Sequence, residues 1–320
     1  MWPFPMTPQG THHITAMCGD AQRNVDFYSH LLGLRLVKVT VNQDDPGTYH
    51  LYYGDQHGTP GSGITFFPWP ESRVGRPGLG EAGVVAFTVH PGSLAFWKDR
   101  LAAHEIEATG GERFGKPYLA FADPDGIRLE LVESDETRFQ PATHPDIPAE
   151  HALRGFFSTT LWVADPQASE AFLTEAWGLR RIGEENGRIR LAMGEGLPHQ
   201  LVDIERPEGM SHSRMGVGVV HHVAFRAQND NEEFALRQAT LDAGLQPTEQ
   251  IDRFYFRSVY FREPNRILFE IATDEPGFAV DEPADALGEK LVLAPWLEAQ
   301  RPAIERVLPR IKTAKGVQIP

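Results

Sequence analysis

A strand–helix–strands pattern recurs four times along this chain, at intervals of roughly fifty to seventy residues, and it limits the folds open to it. The fourth copy is the clearest. GVGVVHHVAFRA at 216–227 opens after glycines with β-branched and aromatic residues, as a strand does. NDNEEFALRQATLDAGL then reads as a helix, with Asn229 or Asp230 as its cap and Phe234, Leu236, Ala239, Leu241 and Leu245 as its apolar stripe. FYFRSVYF and RILFEIA follow as strands around the turn Glu263-Pro264-Asn265. The first copy runs THHITAMC, the helix AQRNVDFYSHLLGL capped at Gly33, then RLVKVTVNQ, TYHLYYGD and GITFFPW. The second runs GVVAFTVHP, SLAFWKDRLAAHEI and PYLAFADPDGIRLELVES; the third runs FFSTTLWVADP, QASEAFLTEAWGL, RRIGEE, RIRLAMG and HQLVDIE.

Units made mostly of strand, and only four of them, do not suit a solenoid. The expected class is α+β: four βαβββ modules that pair, each pair curling a sheet into a half-open barrel. Residues 1–10 read as a proline-rich arm and 134–154 as a polar linker carrying Pro141, Pro145 and Pro148. The expected division is 1–145 for modules 1 and 2, 146–280 for modules 3 and 4, and 281–320 for a helical tail that packs outside the barrels.

The pattern of histidines and glutamates selects the pairing. Modules 1 and 4 open on His12-His13 and His221-His222. Modules 2 and 4 close on Glu130 and Glu270, each the sixth residue after a proline, Pro124 or Pro264. A single strand histidine is more often a packed rim residue than a ligand; the second copy shifts that balance. Joining neighbouring modules gives each barrel one histidine position and one glutamate, too few ligands. Joining module 1 with module 4 gathers two histidines and Glu270 on one face, the two-His, one-carboxylate triad that holds non-haem Fe(II) with open positions. Modules 2 and 3, with Phe87 and Ser158-Thr159 near the corresponding places, keep Glu130 alone and bind no metal. Strand alternation lets only one of two adjacent histidines face the cup. It does not choose between His12/His221 and His13/His222.

Composition excludes several partners. A net charge of −14 argues against nucleic acid and anionic membranes, which need basic patches. Hydrophobic residues at 41% support a packed core. One cysteine, Cys18, excludes an intramolecular disulfide framework and a CxxC zinc site, and fits a reducing compartment. No apolar run is long enough for a transmembrane helix, and MWPFPMTPQG lacks the form of a signal peptide, so a cytoplasmic protein is expected. Of thirteen histidines, His57, His104 and His144 read as surface or loop residues. A homo-oligomer remains open.

Jointly, THHIT, YHLYYGD, GVVHHVAF, DRFYFRSVYFREP and LFEIATDEPGF resemble the ring-cleaving dioxygenases that act on hydroquinones, within the vicinal oxygen chelate (glyoxalase/bleomycin resistance/extradiol dioxygenase) superfamily. The resemblance spans roughly residues 10–310. It implies that the second histidine of each pair is the ligand: His13 and His222, with Glu270 third. It further implies that Tyr260 and Arg253 line the substrate site, and that His12, Thr15 and His221 stand behind the ligands. The implied activity is that of a non-haem Fe(II) extradiol-type dioxygenase, with Mn2+ or Zn2+ as ions a purified sample can carry. Its partners would be O2 and a small hydroquinone- or catechol-like diol. Taken one by one, the same residues have plainer readings: Tyr260 as a strand aromatic, Arg253 as an ion-pairing residue, His12 and His221 as packed side chains. Two rival functions follow: a glyoxalase-like isomerase or lyase using Zn2+, Ni2+ or Mn2+, and a non-enzymatic protein that sequesters a planar aromatic.

Overall fold

The computed structural model describes residues 6–136 and 138–320. The first half of the expected N-terminal arm lies outside the described residues. Module 1 comprises β1 (Thr11–Cys18), α1 (Ala21–Val25), β2 (Arg35–Asn42), β3 (Asp45–Gly54) and β4 (Gly63–Pro68). Module 2 comprises β5 (Glu81–Val89), α2 (Leu94–Ala103), β6 (Thr109–Arg113), β7 (Lys116–Ala122) and β8 (Arg128–Glu133). Module 3 has β9 (Phe156–Trp162), α3 (Pro166–Ala171), β10 (Arg180–Glu185), β11 (Arg188–Ala192) and β12 (Leu201–Glu205). Module 4 has β13 (Val220–Ala227), α4 (Asp230–Asp242), β14 (Ile251–Asp252), β15 (Arg257–Arg262) and β16 (Leu268–Thr273).

The modules pair as the ligand count requires. One eight-stranded sheet runs β14-β15-β16-β13-β1-β4-β3-β2, joining module 4 to module 1. The other runs β10-β11-β12-β9-β5-β8-β7-β6, joining module 3 to module 2. In both, the first strands of two modules meet antiparallel at the centre, β1 with β13 and β5 with β9. Each sheet therefore draws on both halves of the chain.

Three helices start on side-chain caps. Asp20 accepts from the Arg23 N–H, Asp165 from Ala168, and Asn229 from Asn231 and Glu232; each such cap is worth about 1 kcal/mol. Two helices depart from the simple 3.6-residue reading. α1 and α3 both run on into π-helical turns, Asp26–Leu31 and Phe172–Ala176. In module 1 the wider turn lets Tyr28, Leu31 and Leu32 all bury. The expected stripe on α4 is also corrected. Leu236 is buried, but Phe234 is 60% exposed and Leu241 37%, because Glu233, Ala235 and Thr240 occupy the inward face instead. FYFRSVYF begins its strand only at Arg257, since Phe254 adopts φ +70° and turns the chain.

The chain after module 4 is fastened to the free edge of the first cup. The Val292 N–H donates to the Val39 carbonyl on β2. Lys38, fully buried on the same strand, places its ammonium 2.7 Å from Asp281 and 2.5 Å from Glu282, and donates to the Phe278 carbonyl. A buried ammonium without these partners would be costly. A short 3-10 turn, Pro295–Gln300, and the helix α5 (Arg301–Val307) follow.

Glu81, at the start of β5, is 5% exposed and its Oε2 has no hydrogen-bond partner. Burial pushes its pKa up to about 8, against the opposing pull of the Gly78 backbone N–H and Arg128. The folded state therefore holds a proton that the unfolded chain releases near pH 4.5, and stability falls as pH rises from there to about 8. Glu81→Gln should be more stable than the parent at pH 9, by an amount on the order of a few kcal/mol, and match it at pH 4. Thermal unfolding at both pH values checks this; an equal difference at both would contradict it.

Candidate metal centre

β1 and β13 lie side by side, and each carries a bulge against the other. Thr11 pairs with Phe225 and His13 with Ala224, so His12 is the extra residue on β1. Thr15 pairs with His222 and Ala16 with Val220, so His221 is the extra residue on β13. A bulge breaks the alternation of side chains and turns two consecutive residues toward one side. The His12 and His13 rings accordingly both lie against Phe256, at centroid distances of 5.3 and 5.1 Å, and His221 and His222 both line the same cavity. The rule that only one of two neighbours faces the cup thus fails on β13, for a local reason; on β1, His13 lines the cavity and His12 packs against Phe256.

Within each pair the rings meet through their Nδ1 atoms, His12 to His13 at 2.9 Å and His221 to His222 at 2.8 Å. One nitrogen must donate and the other accept. If His13 and His222 carry their protons on Nδ1, their Nε2 lone pairs are free, and these are the atoms that converge. Nε2 of His13 and Nε2 of His222 are 3.3 Å apart, and Oε2 of Glu270 lies 3.3 Å from the first and 2.9 Å from the second. Among the described residues, this is the one group of three His, Cys, Asp or Glu side chains with donor atoms within 4.8 Å of one another. Three donors about 2.1 Å from a common centre and at right angles to each other sit about 3.0 Å apart, so the spacing suits three adjacent positions on one metal ion. Oε2 of Glu270 is buried without a hydrogen-bond partner, as a carboxylate oxygen kept for an ion would be.

The electrostatics agree. Burial takes His12 and His221 down to about 3, with the adjacent imidazole adding to the effect, so both stay neutral and can accept from their neighbours. Burial also lowers His222. It opposes ionisation of Glu270, yet the pull of His13 and His222 in their protonated forms outweighs it and holds that carboxyl well below its usual range; a cation among the three would supply the same positive charge with both imidazoles neutral. Neutral imidazoles and an ionised carboxylate are the forms that bind a metal.

The cavity in front of these ligands has a volume of about 400 Å³. Tyr260 and Arg253 line it. Tyr260 faces Glu270 in register from β15, and its ring meets that of His222 edge-on at 5.9 Å. Arg253 forms a two-pronged ion pair with Asp44, at 3.1 and 3.0 Å, and its guanidinium lies 5.3 Å from the Tyr260 ring. This pair links the β2–β3 turn to the chain after β14, the two free edges of the cup. Thr15 lies buried opposite His222.

Sequence reasoning missed several residues here. Ser258 donates from Oγ to Oε1 of Glu270 at 2.5 Å, fixing the carboxylate so that Oε2 points at the histidines; its signal was its place two residues before Tyr260 on one strand face. His50 and Tyr52 line the cavity from β3, and the alternation in TYHLYY could have flagged them. Ser258→Ala should lower metal affinity about 10–100-fold while leaving the fold intact. Titration of the metal-free protein with Mn2+ or Zn2+ measures it, and unchanged affinity would show that Ser258 does not orient the ligand.

The second cup shows what the same geometry does without histidines. His13 stands opposite Ala224, which stands opposite Glu270; likewise Ser158 stands opposite Ala86, which stands opposite Glu130. Ser158 and Val84 therefore occupy the ligand positions, and Gly83 and Phe157 the bulges, which shifts the correspondence away from Phe87 and Thr159. Arg113 donates to Oε2 of Glu130 at 2.7 Å and supplies the positive charge. Glu130→Gln should leave metal content unchanged; a loss of metal from that variant, read by elemental analysis, would reveal a second site.

These features define a class. Residues 10–131 and 155–271 match the model of the Glyoxalase/Bleomycin resistance protein/Dioxygenase superfamily, and the chain belongs to that superfamily. Within it, the chain is 43% identical over 299 residues to the candidate ring-cleaving dioxygenase MhqO of Bacillus subtilis, covering 93% of this chain and 95% of that one. It is 34% identical over 319 residues to the chlorohydroquinone/hydroquinone 1,2-dioxygenase of Sphingobium indicum, covering 96% and 98%. A crystal structure of a candidate dioxygenase from Bacillus subtilis superposes with a TM-score of 0.93 at 42% identity, covering 96% of this chain and 98% of that one. Maize glyoxalase I shares the fold at a TM-score of 0.60 and 15% identity. No helix among the described residues is long and apolar enough to cross a membrane.

Proposed function

We propose that the protein is an Fe(II)-dependent dioxygenase that opens the ring of a hydroquinone-like diol with O2. The observation that carries this reading is the convergence of His13, His222 and Glu270 at the wall of an aromatic-lined cavity. The hydroquinone preference is supported by the Sphingobium indicum relative, whose name gives that substrate. Fe(II) held by these three side chains would offer adjacent open positions to a substrate oxygen and O2, and would lower the pKa of the phenol.

The chain's own residues then have distinct tasks. His12 and His221 hold the ligand rings by accepting from Nδ1, which fixes both tautomer and orientation. Burial raises Tyr260 well above the range of an ordinary phenol, with Glu270 adding to the shift, so it stays protonated and can donate to a substrate oxygen. Arg253 contributes positive charge at the mouth, balanced by Asp44 until an anionic substrate competes. Phe67, Trp69 and Phe256 give the ring apolar walls. Thr15, buried beside His222 on the neighbouring strand, stands behind the ligands. Both oxygen atoms of O2 enter the product as one ring C–C bond beside a hydroxyl-bearing carbon breaks, so no other reductant is needed. With one thiol and no structural disulfide, the cytoplasm suits this chemistry.

Protein loaded anaerobically with Fe(II) should take up O2 with hydroquinone or chlorohydroquinone. His222→Ala should lose both metal and activity. His221→Ala should keep the metal and turn over about 10–100-fold more slowly. Metal content measured beside O2 uptake separates the two. The reading fails if the Fe(II) protein consumes no O2 with any diol, or if His222→Ala retains its iron.

A further inference from the structure

Four side chains on the concave face of the first cup form a hydrogen-bonded row with one closed end and one open end. Oγ1 of Thr15 lies 2.7 Å from Oγ1 of Thr65, which lies 2.8 Å from Nε2 of His50; Nδ1 of His50 lies 2.8 Å from the hydroxyl of Tyr52. Tyr52 pairs with Thr65, Thr65 with Thr15, and Thr15 with His222. Directly paired residues share a face of the sheet, so Tyr52 stands on the ligand face, on β3, while His222 stands on β13 beyond β4 and β1. The closed end is Thr15. It is fully buried, and among the described residues its hydroxyl has Thr65 as its one hydrogen-bond partner. The open end is Tyr52, which lines the same cavity as His222.

The closed end gives the row a direction. Burial lowers His50 well below its usual value, with His13 and His222 adding to the effect, so the ring is neutral and carries one N–H. In one arrangement Thr15 donates to Thr65, Thr65 donates to Nε2 of His50, and Nδ1–H donates to the Tyr52 oxygen. Every buried hydrogen is then spent, and the Tyr52 O–H is left for the cavity. In the reverse arrangement Tyr52 donates inward to Nδ1, Nε2–H donates to Thr65, and the Thr15 hydrogen is buried without an acceptor. A buried donor left unpaired is costly, whereas a hydroxyl oxygen can leave a lone pair unused, which favours the first arrangement by about tenfold or more. Burial raises Tyr52 well above the range of an ordinary phenol, with Tyr260 and Glu270 adding to the shift, so it keeps the proton it presents.

We propose that Tyr52 is a specificity-determining residue: its O–H, aimed by His50, Thr65 and Thr15, is a fixed hydrogen-bond donor that selects substrates carrying an acceptor oxygen on the part of the ring remote from the ligands. The inference rests on the ring-cleavage reading and names the second oxygen of the diol as the atom that Tyr52 meets. A free hydroxyl, an ionised one and an ether oxygen all accept. Monoethers of hydroquinone therefore belong to the ligand class, and a phenol with only an alkyl group at that place leaves the donor unpaired. Both ring nitrogens of His50 are used within the row, so His50, Thr65 and Thr15 are positioning residues, and Tyr52 is the one that touches the ligand. The cavity then has a tyrosine donor on each side, Tyr260 from module 4 and Tyr52 from module 1.

Two measurements on the Zn(II)-loaded protein test this, and neither needs turnover. Nitrogen NMR of isotope-labelled histidine, with the His50 signals assigned by their loss in His50→Gln, should show the His50 proton on Nδ1. A proton on Nε2 overturns the proposal, because the Tyr52 hydrogen would then be spent inside the row. Equilibrium binding compares para-methoxyphenol with para-ethylphenol, which match in shape and differ in the acceptor oxygen. The ratio of their affinities should fall about tenfold from the parent to Tyr52→Phe, with metal content and thermal unfolding checked for both proteins. An unchanged ratio, or a parent that binds neither phenol, also overturns the proposal. The NMR measurement needs no substitution at Tyr52, so it stands even if that variant does not fold. Absence of O2 uptake by the Fe(II)-loaded parent with hydroquinone would instead sink the ring-cleavage reading, and both measurements would still read the donor.

Discussion

The antiparallel pairing of β1 with β13 is the contact on which the rest depends. It brings together two strands whose histidines lie 209 positions apart, and it carries two bulges related by the approximate symmetry of the modules. Each bulge places a histidine behind a histidine. With a metal ion on Nε2 of each inner ring, the inner ring's proton would sit on Nδ1 and donate to the neutral imidazole beside it. Each candidate ligand and the side chain that would orient it are thus adjacent residues.

The two cups share a framework and differ in how they handle one buried carboxylate. In the first, Glu270 is held by Ser258 on one oxygen and faces two imidazoles with the other. In the second, Arg113 reaches Glu130 directly, and Arg190 forms a two-pronged pair with Asp203 while its guanidinium lies 5.5 Å from the Phe157 ring. A buried carboxylate needs a compensating positive charge. The second cup builds that charge into the chain, and the first leaves room for it to arrive as an ion. Where the first cup has His13 and His222, the second has Ser158 and Val84, with Arg113 paired to its carboxylate.

Much of this was legible in the sequence, and the remainder failed for identifiable reasons. The repeat and the in-register glutamates led to the module pairing and to two histidine pairs with Glu270, because strand order and ligand count are strong constraints; the choice of His13 and His222 within those pairs came from the family resemblance. The orientation of His12 and His221 was not legible from the residues, since a bulge has no reliable signature when the extra residue is not a glycine. The outward turn of Phe234 and Leu241 escaped the periodicity argument because Thr240 and Glu233 compete for the same helix face. Ser258 and His50 were passed over because a serine or histidine on a strand has many uses. Only the neighbouring strand, which comes from elsewhere in the chain, shows which use is made of it.

The nesting of the modules also sets an order in time. Modules 2 and 3 are neighbours in the chain and can close their sheet as soon as β12 has been made. Module 1 emerges first but completes its sheet last, because its partner strand lies beyond both inner modules. At ordinary rates of synthesis, β1 waits on the order of ten seconds with an unpaired edge. An open edge of that kind is a template for pairing with the wrong chain. The alternation of roles between outer and inner modules thus makes the first module depend on the last: a ribosome that stops before module 4 leaves one finished barrel and half of another, whose His13 has neither of the side chains it converges with.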